Sequence, residues 1–231
     1  MKKSLLIASI IVISSYSSNL IAQSVYSDTD IEKYISNRPV PKVTDATYVG
    51  SPYLDGNFKK GVISKNGIVI SHNVGLRYNA NKDYFEIKKT FALKDDQAKL
   101  MKKSNEITIS VNNNKYVYIP RSEVNSVSGY FNLLLKDEKL SLYKKTKMTF
   151  IAGQKAYSSM VTDVAPTYKE SVIHYITRGD KKLIQLSNSK KGKLKEFDDH
   201  KKEVKLFIKE NKVNINKDAD FIKLVKYYNT L

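Results

Sequence analysis

Between residues 58 and 186, short apolar runs recur between polar turns, and several alternate strictly with polar residues, the pattern of β-strands. Val62-Ile63 and Ile68-Val69-Ile70 flank Asn66-Gly67, a hairpin signal because both turn residues tolerate positive φ. Leu76-Arg77-Tyr78 and Tyr84-Phe85-Glu86-Ile87 flank the polar stretch 79–83. Ile107, Ile109 and Val111 alternate, Asn112-Asn113-Asn114 turns the chain, and Tyr116-Val117-Tyr118-Ile119 runs until Pro120 stops it. Residues 130–135 and 140–143 flank Asp137-Glu138, and 172–176 and 183–186 flank Arg178-Gly179-Asp180. This succession predicts a mainly β (α+β) fold: an antiparallel meander, a sandwich or a barrel-like sheet. Residues 95–103 read as a short helix between strands, with Ala98 and Met101 facing inward.

The period changes towards the C-terminus. Val204, Phe207 and Ile208 repeat at helical spacing after Asp198 or Asp199, either of which can cap, and Asn211 marks the end. A second helix is expected from about Asn216, with Asp218 and Asp220 in its first turn, where the helix dipole favours acids. Its apolar face is Phe221, Leu224, Val225 and Tyr228, and Leu194 and Phe197 fall in a preceding helical turn. Near the other end, 28–36 reads as a short helix capped by Ser27 or Asp28, with Ile31, Tyr34 and Ile35 on one face. Asn37-Arg38-Pro39-Val40-Pro41 then predicts an extended linker. The organisation expected is a signal peptide at 1–22, a short helix and linker at 23–57, an antiparallel β domain at 58–186, and a helical segment at 187–231 packed on the sheet.

The first residues add a compartment. Met1-Lys2-Lys3 is a basic start, 4–13 is an apolar run broken only by Ser4 and Ser9, and Leu20-Ile21-Ala22 precedes Gln23 and Ser24. That order is the order of a secretory signal peptide, with cleavage after Ala22 or after Ser24. The apolar run is too short for a spanning helix, which needs roughly 20 residues. The sequence contains no Cys, so neither a lipid anchor on Cys nor a disulfide framework is available. Removal of 22 residues from 231 leaves 209, enough for a packed core. The mature chain is therefore expected to be soluble and exported, periplasmic or extracellular. An outer-membrane barrel fits poorly, because Lys interrupts the apolar alternation that a lipid-facing band requires.

Charge changes the picture less than its size suggests. Lys and Arg number 40 against 23 acids, a net charge of +17, yet only four of the cations are Arg. Nucleic-acid readers favour Arg for bidentate contacts. Codon composition accounts for the Lys excess as well as a polyanion partner does, since Asn, Ile and Tyr are abundant too. The longest basic run is Lys190, Lys191, Lys193 and Lys195, which could meet phosphates or an anionic glycan; from 187 onward twelve Lys alternate with seven acids, the usual look of solvated helix faces. The sixteen Tyr suit a half-buried pleated surface, and also carbohydrate or peptide contact.

Reactive constellations are weak. His72, His174 and His200 are scattered, so no metal set is expected, and no cofactor motif occurs. Asn79, Asn81 and Asp83 match the start of a calcium loop, but Tyr84 stands where Gly is needed and Thr90 where a bidentate acid is needed. Ser141 to Lys144 and Ser187 to Lys190 fit S-x-x-K without its companion motifs, so no catalytic residue is assigned.

Gly50-Ser51-Pro52-Tyr53-Leu54, the Leu76-Arg77-Tyr78-Asn79 strand end with Phe85-Glu86-Ile87-Lys88, Gly129-Tyr130-Phe131 and the terminal Ile222-Lys223-Leu224-Val225-Lys226-Tyr227-Tyr228-Asn229 together resemble a recurrent group of exported proteins of Bacteroidetes-type Gram-negative bacteria. The resemblance spans residues 50–231. It implies export and a one-domain organisation, and it brings no activity and no site residues with it.

The expectation is a non-catalytic envelope module that binds through its β surface, with an anionic envelope glycan or another envelope protein as partner. Arg77, Tyr78 and Asn79 are the candidate contact patch, because Arg is rare here and the triplet lies at a strand end. The structural alternative is that Arg77 pairs with an acid on a neighbouring strand while Tyr78 packs. Two other readings stand beside it: a polyanion binder acting through Lys190, Lys191, Lys193 and Lys195, and a hydrolase with an unrecognised site, which would need convergent carboxylates or a shifted Tyr or Lys.

Overall fold

The computed structural model describes residues 29–41, 47–158, 160–179 and 182–231. The expected export signal, its cleavage site and the caps Ser27 and Asp28 lie outside the described residues. Eleven strands form one antiparallel sheet that does not close. In chain order they are β1 (Ile35–Pro39), β2 (Lys59–Lys65), β3 (Ile68–Asn79), β4 (Tyr84–Lys88), β5 (Lys99–Met101), β6 (Ile107–Val111), β7 (Asn114–Ile119), β8 (Gly129–Leu135), β9 (Ser141–Ile151), β10 (Thr167–Thr177) and β11 (Ile184–Gln185). Across the sheet the order is β1-β5-β4-β3-β2-β6-β7-β8-β9-β10-β11. The mainly β meander with a C-terminal helix pair is thus present as an open sheet.

The turns form where the sequence demands them. Asn66 and Gly67 both have positive φ (48° and 83°), as do Asn112 and Asn113 (50° and 59°), the geometry of tight hairpin turns that match strand twist. Two expectations are corrected. Residues 28–36 do not form one helix: α1 covers only Thr29–Glu32, and Ile35–Pro39 is a strand paired with β5. Residues 95–103 likewise split into a 3-10 turn at Asp95–Gln97 and β5. The cause is the same in both. A helix of one turn gains few internal hydrogen bonds for its ordering cost, and the sheet offers each segment ladder partners instead, β4 to β5 and β5 to β1.

The sheet curls strongly in its first half. β4 and β9 are separated by five strands in the sheet order. Even so, Met148 N–H donates to Ala80 O at 3.1 Å, and Asn81 Nδ2 donates to Met148 O at 2.8 Å. Register shifts in β2 around Gly61 and Ile63 supply the local extra twist that such curling needs. The first core fills the curl: Val74, Leu76, Tyr78, Phe85, Ile109, Tyr116 and Tyr130 are all buried there, with the Phe85 ring 5.0 Å from Tyr130 and 4.8 Å from Tyr78.

The second core lies between β8–β11 and the C-terminal helices α2 (Lys190–Leu194), α3 (Lys201–Glu210) and α4 (Asp218–Thr230). Phe221, Leu224, Val225 and Tyr228 of α4 are fully buried against Leu140, Leu142 and Ile176 of the sheet. Each such side chain contributes roughly 1.5–3 kcal/mol on burial. On the opposite face of β8–β10, Phe131, Tyr143, Tyr175 and Leu183 make a smaller third cluster.

β9 and β10 form a long arm. They pair without interruption from Ser141 with Thr177 out to Ile151 with Thr167. The root is buried, whereas the far half exposes Phe150, Ile151, Val164 and Val172. Val49 bridges to Thr167 there, with backbone bonds to Pro166 and Tyr168. Among the described residues, no helix is long and apolar enough to cross a membrane.

Candidate functional site

Ser189 is extended and its Oγ accepts from the Gly192 N–H at 3.1 Å, which fixes the start of α2 at Lys190. The 3-10 segment Lys195–His200 follows, and Phe197 leaves helical geometry within it (φ −120°, ψ 24°). The chain therefore bends between α2 and α3, and the elbow encloses a cavity of about 550 Å³. Leu194, Phe197 and Val204, at the top of the second core, form its apolar floor. Lys190, Lys191, Lys195, Lys201 and Lys205 ring it, and Asp198 is the one acid in its lining. Lys201 lies 3.4 Å from Asp198. The other four have no carboxylate partner among the described residues.

Of the basic run read from the sequence, Lys190, Lys191 and Lys195 meet at this rim, and Lys193 turns away. It is buried, with Nζ 3.4 Å from Ile215 O and 5.4 Å from the Phe221 ring centre. Burial holds its ammonium pKa below the usual lysine value. Helical geometry explains the split: Lys191 and Lys195 are four residues apart and share a face, whereas Lys193 lies half a turn from both. Lys201 and Lys205 were not singled out in the sequence, and Leu194, Phe197 and Val204 of the floor were read there only as apolar helix positions. The signal available was the one-turn spacing of Lys201 and Lys205 beside Val204, which only the bend at Phe197 brings opposite α2.

Arg77, Tyr78 and Asn79 are placed differently from one another. Strand alternation puts Tyr78 inside the curl, 6% exposed, where its hydroxyl donates to Asp83 at 2.7 Å. Asn79 is buried, and its Oδ1 accepts from the backbone of Asn81 and Lys82, holding the β3–β4 turn. Arg77 lies on the outer face. Its Nε and Nη2 donate to the fully buried Glu86 at 2.9 and 2.7 Å, and its Nη1 to Gly56 O at 3.0 Å. The guanidinium stacks between the rings of Tyr53 and Phe58, each 4.3 Å away, while Tyr53 OH donates to the other Glu86 oxygen at 2.8 Å. Desolvation, and then the Glu86 carboxylate, hold the Tyr53 phenol protonated well above its ordinary range. Every donor on Arg77 that faces protein is thus engaged.

Two further charged groups join distant elements. Asp83 accepts from Tyr78 OH, from Tyr130 N–H at 3.1 Å and from Lys145 Nζ at 3.1 Å. Lys145 is buried, donates also to Tyr130 O and lies 4.6 Å from the Phe131 ring; desolvation depresses its pKa. On the second core, His174 Nε2 lies 2.9 Å from Asp218 Oδ1, and Lys144 Nζ donates to Oδ2. The His174 hydrogen bond, with Lys144, lowers the Asp218 pKa to about 2. His174 and Lys144 are direct partners across β10 and β9, so both reach α4 from one sheet face. Ser141 of the first S-x-x-K match bonds to Asp137, not to Lys144.

The three His stand apart, and no group of three His, Cys, Asp or Glu among the described residues could hold a metal ion. No protein-family model, curated protein or solved structure matches the chain.

Proposed function

We propose that the protein is an exported, non-catalytic binding module that engages an anionic component of the cell envelope at the lysine-rimmed cavity between α2 and α3. The observation that carries this reading is the convergence of five lysines, with Asp198 as the one acid, on a single concavity with an apolar floor. Four of the five have no carboxylate partner among the described residues. Like charges gathered around one concavity repel each other, and an anion relieves that repulsion while the concavity focuses the field on it. The two lysines with depressed pKa values support a non-catalytic reading, since each spends its ammonium on a backbone carbonyl and an aromatic ring.

The test is retention on immobilised heparin, a general polyanion, over a salt gradient. The mature chain should be retained at low salt. A variant carrying Lys190→Ser, Lys191→Ser, Lys195→Ser and Lys205→Ser should elute markedly earlier, with a shallower dependence of affinity on salt, because each lost phosphate-like contact removes counterion release. Identical elution of the two proteins would overturn the assignment of the site.

A further inference from the structure

We infer that the occupant of this cavity is a single-chain amphiphile with an anionic head, of the class of long-chain fatty-acid carboxylates. The inference rests on the anion-binding reading above and goes beyond it by naming what lies behind the charge. A polyanionic glycan needs spaced cations on an open face and gains nothing from a hydrocarbon floor. Here the cations surround a concavity whose base is Leu194, Phe197 and Val204. The walls are apolar as well, since lysines at a rim present their methylene stems inward and their ammonium groups to water.

The dimensions agree with a small molecule. A volume of about 550 Å³ lies inside the range of roughly 300–1,000 Å³ typical of small-ligand sites. An uncharged hydrocarbon would leave the lysine repulsion in place, and a small inorganic anion would leave the floor wetted. A carboxylate on an alkyl chain satisfies both: the head meets the lysines at the mouth, and the chain covers the floor. The floor residues also belong to the core that fixes α3 and α4 on the sheet, so the cavity is preformed and its shape is set by the fold. The head-group preference follows from the cations present. Lysine ammonium groups act as point charges without the planar fork of Arg, so they accept a carboxylate in many orientations.

The experiment is calorimetric titration of the mature chain with octanoate, decanoate and dodecanoate, each kept as monomers, at fixed salt. Kd should fall by about twofold to fourfold per added methylene, the range between half and full burial. The fourfold Lys→Ser rim variant should weaken dodecanoate binding at least tenfold. Leu194→Asn should remove the chain-length dependence; if that variant unfolds, the rim variant, altered only at exposed positions, carries the test. Heparin retention with no dependence on chain length would overturn the amphiphile and leave the anion reading standing. Absence of both heparin retention and carboxylate binding would overturn both. Binding to vesicles containing phosphatidylglycerol, with the monomeric carboxylates ignored, would place the surface on a bilayer and overturn a free amphiphile.

Discussion

Asp83 ends the β3–β4 turn in the left-handed region, with φ 56°, and its carboxylate gathers the Tyr78 hydroxyl, the Tyr130 amide and the Lys145 ammonium. Asn tolerates that backbone conformation well, so Asp83→Asn isolates the charge from the turn. It leaves Lys145 buried without its counter-ion, and removing one member of a buried pair costs about 3 kcal/mol or more. The expected result is a drop of that size in urea-denaturation stability, with an unchanged far-ultraviolet spectrum; a change under about 0.5 kcal/mol, the ordinary surface range, would contradict the role. Gly129 belongs to the same knot. Its φ is 126°, and a Cβ there would stand 1.9 Å from Asp83 Oδ2 and 2.4 Å from Lys145 Nζ. At this scale the sequence shows Asp83 only as a polar turn residue. Its partner lies 62 positions away, and the curl that joins them is a property of many strands at once. Arg77 was more legible: its rarity pointed to a contact patch, but the alternative of a pair with an acid on a neighbouring strand is what Glu86 provides, although the Tyr53 and Phe58 rings around it come from an irregular segment without periodicity.

Strands were legible wherever burial imposed alternation. β6, with Ile107 and Ile109 inward, and the α4 face of Phe221, Leu224, Val225 and Tyr228 follow directly from their periods. β5 and β1 were not, because β5 has only three residues and β1, at the sheet edge, buries only Ile35, so neither shows a period. The outer halves of β9 and β10 were hidden for another reason. Apart from Met148, which packs against the first core, residues from Lys147 to Ile151 and from Thr167 to Val172 are largely exposed, so little core contact selects which residues are apolar, and backbone pairing mainly defines the element. That difference has a dynamic consequence. Hydrogen-bonded backbone without buried side chains opens locally at low cost, whereas the root opens only with the cores. Hydrogen exchange should therefore be faster by orders of magnitude at residues 149–151 and 169–172 than at 141–145 and 173–177. Equal protection along the arm would show that its exposed half is packed against something in solution.

The two cores share one sheet. Besides the apolar contact, polar bonds tie the helices to the sheet side: Lys139 and Arg178 reach Tyr228, Asn229 reaches Leu140 O, and Lys144 and His174 grip Asp218 in the first turn of α4. Lys193 of α2 adds a further positive charge nearby, so the carboxylate faces ammonium groups from β9 and α2 and the His174 ring from β10, together with the positive end of its own helix dipole. Its pKa is about 2 in the folded protein and about 3.9 in the unfolded chain. The folded state thus binds the proton less readily, and the stabilisation is complete above the unfolded value. It is lost as pH falls from about 5 to about 1, below both values, where the carboxyl is protonated in both states. With a third of the side chain exposed, solvent screening reduces the contribution to about 1 kcal/mol. Asp218→Asn should then be less stable than the natural protein by about that amount at pH 6 in urea denaturation. The gap should narrow by pH 3, be small at pH 2 and vanish below it, and it should appear in probes of α4 as well as of the sheet, because the clamp spans both. An undiminished gap at pH 2 would assign the loss to packing at the helix start, and loss of α4 signal alone would mean that the helical layer detaches before the sheet unfolds.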